Sequence, residues 1–211
     1  MIRTLSLIKR RPDITRDAFR EHYETVHAPL ALPYMDGLVR YVRYHLEAEL
    51  HGEIGFDVIS AFWYRDAEST AQLKEILASD EGKPILEDEL TFMDKPENVV
   101  FPVSERLLED GDEGDVHDWI FVRKPEALDR SDASKVLVRD HLPGLLKGCD
   151  GLRFALLRDA FPVDAGELRY NAALQLGSEG PAGLDAWSAR LEDAGWTVAA
   201  VRTRRHETAL A

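Results

Sequence analysis

Apolar positions along this chain recur at two periods that take turns. Ile2 to Lys9 alternates as a strand does, and Arg11-Pro12-Asp13 breaks it. A helix then opens on Thr15 as N-cap. Ile14 and Phe19 have the spacing of a hydrophobic staple around that cap, and Phe19, His22, Tyr23, Val26 and Leu30 form one stripe at helical period. The pattern predicts a helix end near Pro29 or Pro33. Strands follow from Gly37 to Glu47 and from Phe56 to Tyr64, then helices over Ala67 to Ala78 and Pro84 to Met93, then a strand from Asn98 to Leu107. Glu109-Asp110-Gly111-Asp112-Glu113-Gly114-Asp115 is acidic, glycine-rich and without large apolar groups, so residues 109–117 read as a solvated linker.

Beyond that segment the order recurs. Strands are predicted over Trp119 to Arg123, Leu152 to Phe161, Leu168 to Gly177 and Thr197 to Thr208, with helices over Ser131 to Lys147 and Leu184 to Ala194. A shift of 114 residues, the distance from His27 to His141, also carries Pro29 to Pro143, Asp36-Gly37-Leu38 to Asp150-Gly151-Leu152, and Phe56-Asp57 to Tyr170-Asn171. The chain therefore reads as two related modules, 1–108 and 118–211, the second degenerate. Each has the order βαββαβ, which predicts an α+β fold of two ferredoxin-like modules. Packed sheet to sheet, they would form a pseudo-dimeric α+β barrel within one chain, open to further self-association.

Composition narrows the function. The chain has 211 residues with 39 acidic against 26 basic side chains, a formal charge of −13, which disfavours phosphate backbones and anionic membranes. The expected partner is a small molecule. One cysteine, Cys149, excludes an internal disulfide and multi-cysteine metal sites, and it fits a cytoplasmic setting. No stretch approaches the roughly 20 apolar residues of a membrane helix.

The helix from Phe19 to Leu30 with His27-Ala28-Pro29, the strand Gly37-Leu38-Val39-Arg40-Tyr41-Val42-Arg43-Tyr44-His45, the segment Phe56-Asp57-Val58 and the opening Leu7-Ile8-Lys9-Arg10-Arg11-Pro12 resemble the EthD family of dimeric α+β barrel proteins. The likeness covers residues 1 to about 105 and is weak beyond. It implies an ether-degradation protein or a polyketide dehydratase or cyclase as relatives. Wider relatives with the same barrel include lactone isomerases, cofactor-free monooxygenases and haem enzymes, so fold transfers better than reaction.

Strand alternation places Tyr41, Arg43, His45 and Glu47 on one face, and Asp57, Ile59, Ala61 and Trp63 together on the next strand. If those strands pair near their loop, Asp57 could orient His45 as a general base, with Tyr41 and Arg43 stabilising developing negative charge. His27 would close the pocket from the helix, although its persistence as His141 equally suits a brace at a helix end. His22, Tyr23 and Trp63 are the expected substrate contacts, with His22 also readable as a core histidine. The second copy has Ala155, Leu157, Asp159, Asn171, Val136 and Leu137 where the first has Tyr41, Arg43, His45, Asp57, His22 and Tyr23, so one working pocket is expected, in the first half.

His22 and His27 lie five apart, about 140° around an α-helix, and do not form a helical metal pair. His51, His117 and His206 fall in predicted loops or at the terminus. No motif calls for a cofactor; haem is conceivable on the resemblance alone. The residues point to a cofactor-independent lyase or dehydratase, cyclase or isomerase acting on a small hydrophobic carbonyl compound. A non-catalytic ligand-binding module and a haem-dependent enzyme are the alternatives.

Overall fold

The computed structural model describes residues 1–163, 168–180 and 183–210. It is a mixed α+β fold with antiparallel strands, and the chain clusters into two compact units. One comprises Met1–His45, Gly55–Val100 and His206–Ala211; the other comprises Leu46–Ile54 and Phe101–Arg205. Among the described residues no helix is long and apolar enough to cross a membrane.

The first half runs β1 Ile2–Ile8, α1 Arg16–His22, a π turn Tyr23–His27, α2 Ala28–Ala31, β2 Leu38–His51, β3 Val58–Tyr64, α3 Ala67–Leu77, α4 Lys83–Phe92 and β4 Val99–Glu109. In the first unit β3 lies between β1 and β2, in the registers Ser6↔Ser60 and Arg43↔Ser60. Thr15 caps α1, its side chain accepting from Ala18 N at 3.2 Å, and Ile14 packs with Phe19 in the core. That core gathers Phe19, Tyr23 and Ala28 from the helix, Tyr41, Val58 and Phe62 from the sheet, and Phe92 from α4. Gly37 turns the chain into β2 at φ +77°, and a Cβ there would collide with the Ser69 hydroxyl. Gly151, its counterpart by the shift, has φ +59°. These turns need the left-handed backbone region that glycine reaches without strain.

The second half runs β5 Val116–Arg123, α5 Arg130–Val136, a π turn Leu137–His141, α6 Leu142–Lys147, β6 Phe154–Ala160, β7 Ala172–Gly177, α7 Leu184–Asp193 and β8 Thr197–Glu207. In the second unit the strands pair in the order β8-β5-β7-β6-β4. Its core is almost wholly aliphatic and aromatic, with Leu137, Ala155, Leu157, Leu174, Trp187 and Leu191 at its centre. The acidic stretch is shorter than its composition suggests, because β4 extends to Glu109 and β5 begins at Val116. His117 is accordingly a buried strand residue rather than a loop one. Cys149 is buried, its thiol pushed up to about 11 by burial and by Asp118 and Asp150, which makes it a poor nucleophile.

Candidate active site

The site begins with the π turn. Ala28 N–H bonds to Tyr23 O rather than one residue later, the wider i→i+5 spacing that inserts a residue into the helix. The insertion rotates the downstream face. Val26, which an unbroken α period places in the apolar stripe, is 44% exposed, whereas His27, Ala28 and Ala31 are buried. Glu24 is turned towards the sheet, where it meets three cationic or imidazole side chains on β2 and β8.

Those side chains are Arg43, His45 and His206. Glu24 Oε1 accepts from Arg43 Nε at 2.9 Å and from His45 Nε2 at 2.5 Å. Oε2 accepts from Arg43 Nη2 at 2.5 Å and lies 3.0 Å from His206 Nε2. Arg43 and His45 are 1% and 4% exposed. Burial alone would raise the Glu24 carboxyl, but the hydrogen bonds from His45 and Arg43 outweigh it and hold the group at about 2. Burial lowers His45 below its ordinary value against the upward pull of Glu24.

A carboxylate can only accept, so His45 Nε2 carries a proton, and Nδ1 is the nitrogen that burial, by disfavouring the imidazolium, leaves with its lone pair. His45 Nδ1 is buried without a hydrogen-bond partner, and so is Arg43 Nη1. Buried polar atoms are rarely left so, and one unpartnered acceptor with one unpartnered donor in the same ion-pair cluster is a feature that a bound polar molecule would satisfy.

Three hydroxyls adjoin the cluster. Tyr41 OH donates to Tyr23 OH at 3.0 Å, which lies 3.0 Å from Ser60 Oγ. Burial raises both phenols, Tyr41 well above its ordinary value, so they remain neutral donors. The Arg43 guanidinium sits 4.2 Å over the Tyr41 ring, a cation–π contact, and Phe62 stacks on the same Tyr41 ring at 4.5 Å.

His27 and His22 serve another carboxylate. His27 Nδ1 is 2.9 Å from Asp88 Oδ2, and His22 Nε2 is 2.7 Å from Asp88 Oδ1. Two side chains that a regular helix would splay by about 140° thus share one acid, because the π turn lies between them. Burial lowers His27 despite Asp88. Among the described residues no group of three or more His, Cys, Asp or Glu side chains is arranged to hold a metal ion.

The expected contact between Asp57 and His45 does not form. His45 is registered with Val58, so Asp57 points to the opposite sheet face. There Asp57 joins the end of β1 to the start of α1, accepting from Arg10 N at 3.1 Å and Arg16 Nε at 3.0 Å. Trp63 lies on that other face as well, under the Arg40 guanidinium at 4.8 Å, away from Tyr41. The structure therefore brings Tyr41, Arg43, His45 and Tyr23 together, sets His22 and His27 beside them on Asp88, and separates Asp57 and Trp63. Glu24, Ser60, Asp88 and His206 are the partners that sequence reasoning missed. His206, near the end of β8, lies 3.0 Å from Glu24.

A chain with this fold and a carboxylate–imidazole pair between helix and sheet can be compared with known proteins. Residues 11–96 match the family model of the EthD domain. Among solved structures, a candidate monooxygenase from Lactobacillus acidophilus is similar over 100% of this chain and 99% of its own, at 13% identity and a TM-score of 0.50. An anthrone oxidase-like protein is similar over 98% of this chain and 92% of its own, at 10% identity and a TM-score of 0.59. At such identities these two share the fold alone. An EthD family protein from Bacillus halodurans is 27% identical over 50% of this chain and 100% of its own, with a TM-score of 0.38. No curated protein matches the sequence.

Proposed function

We propose that the EthD domain performs cofactor-independent acid–base chemistry on a small, partly hydrophobic, carbonyl-bearing metabolite. The observation that carries this reading is the His45 imidazole, locked through Nε2 to Glu24 with its basic Nδ1 buried and unpartnered. Carboxylate-held imidazoles of fixed tautomer are suited to general base work near neutral pH, typically contributing about 10²–10⁴ in rate. In the proposed step Nδ1 takes a proton from the carbon beside the carbonyl, and the C–H electron pair moves into an enolate. Glu24 stabilises the imidazolium, and the unpartnered Arg43 Nη1 donates to the enolate oxygen. The proton then returns, to a departing hydroxyl in a dehydration or to another carbon in an isomerisation. Tyr41, Tyr23 and Ser60 offer a hydroxyl chain alongside. His27, held by Asp88, borders the site from the helix, while Asp57 braces the fold. The two halves are read as copies of one module, of which the first kept the chemistry.

Mass spectrometry of whatever co-purifies, followed by turnover of that compound, tests this reading. His45→Ala is expected to lower turnover at least about a hundredfold. Unchanged turnover would sink the assignment. Tight retention without conversion would leave a binding module, and a Soret band in the purified protein would leave a haem enzyme.

A further inference from the structure

We propose that the second unit binds a small organic anion, one with a carboxylate or phosphate head and an apolar body, in the open cleft bordered by the end of β5 and the start of β8. The cleft encloses about 500 Å³, a size common among small-molecule sites. Among the described residues Arg123, Lys124 and Arg130 line it with one carboxylate, Glu126. On a chain of net charge −13 this local excess of cations is against the grain of the composition.

The other copy shows what those cations lack. By the 114-residue shift, Lys124 and Arg130 stand where Arg10 and Arg16 stand in the first half, and both of the latter close on Asp57, at 3.3 and 3.0 Å. Asn171 takes the place of Asp57. The exchange keeps the structural bond and drops the charge: Asn171 Oδ1 accepts from Lys124 N at 2.8 Å, as Asp57 Oδ2 accepts from Arg10 N at 3.1 Å. Arg130 turns to a neutral acceptor, Ala160 O at 3.1 Å, and stacks at 4.3 Å over Phe161. Among the described residues Lys124 Nζ reaches the neighbouring Pro125 O at 3.3 Å. Asp159, which lines the small void behind, is engaged by Ser134 Oγ at 2.8 Å.

Arg130 therefore retains most of its five donors for an incoming acid, and guanidinium forks favour carboxylate and phosphate. Pro162 and Leu168 add apolar wall, which is where the body of the anion would lie. This site is independent of the His45 chemistry.

Titration of the full chain with benzoate and with phenyl phosphate, followed by NMR or calorimetry, tests the proposal, with benzyl alcohol as the uncharged control. At least one of the two acids is expected to bind saturably, and the alcohol at least about tenfold more weakly. Arg130→Gln is expected to weaken acid binding by a similar factor. Asn171→Asp, which restores the first-half carboxylate while keeping the acceptor for Lys124 N, should do the same with an unchanged melting temperature. Binding of neither acid, equal binding of the alcohol, or affinities unmoved by both substitutions would overturn it.

Discussion

The seam between the first helix and the sheet of the first unit is polar and buried; the corresponding seam of the second unit is hydrocarbon. Where the first has Tyr23, Glu24, Tyr41, Arg43 and Ser60, the second has Leu137, Val138, Ala155, Leu157 and Leu174. Both keep the π turn. The second unit teaches that this helix–sheet seam needs no ionic network, since aliphatic packing fills it. Buried ion pairs are commonly matched or exceeded in stability by apolar residues of similar size, so retaining one in the first unit points to chemistry rather than stability.

Substitutions can break this comparison. The largest contrast is expected in turnover, where His45→Ala loses about a hundredfold or more and Asp159→Ala, its counterpart, loses nothing. Next comes Glu24→Gln, which leaves Arg43 buried without a carboxylate. Removing one partner of such a pair costs about 3–5 kcal/mol, a fall of roughly 10 °C in melting temperature. Val138→Ala should stay within about 1 kcal/mol.

Acid sharpens the comparison from the other side. Burial depresses His117 to about 4, whereas the unfolded chain takes up that proton near 6.5. The stability gained by keeping the ring neutral is full above pH 6.5 and is lost as pH falls towards 4, about 3 kcal/mol in all. Urea unfolding across that window should show the loss, and His117→Gln should flatten it. Arg3 holds the matching position in the first unit. Smaller effects are expected from Asp57→Asn, roughly 1 kcal/mol as Arg10 and Arg16 lose their acid, and from Tyr41→Phe, about 1 kcal/mol since Tyr23 keeps Ser60. Thermal melts read both.

The elements were legible because local signals set them: the Thr15 cap, the Ile14–Phe19 staple and the alternation in β2. The face carrying Tyr41, Arg43 and His45 was legible for the same reason. The partners were not. A π turn has no composition of its own, and it moves every later helix residue around the axis, which hid Glu24 among apparent solvent positions and set His22 and His27 on one acid. Strand register was equally silent, and a displacement of one residue decides whether Asp57 faces His45 or its opposite side. His206 lies within the last predicted strand, but nothing in the sequence pairs the end of that strand with Glu24.

The protonation of His45 is the most direct test. Nitrogen-resolved NMR of the imidazole at neutral pH should show a neutral ring with its proton on Nε2, donated to Glu24, and a lone pair on Nδ1. A ring protonated at Nδ1, or a full imidazolium at neutral pH, would contradict a preset base in the first unit.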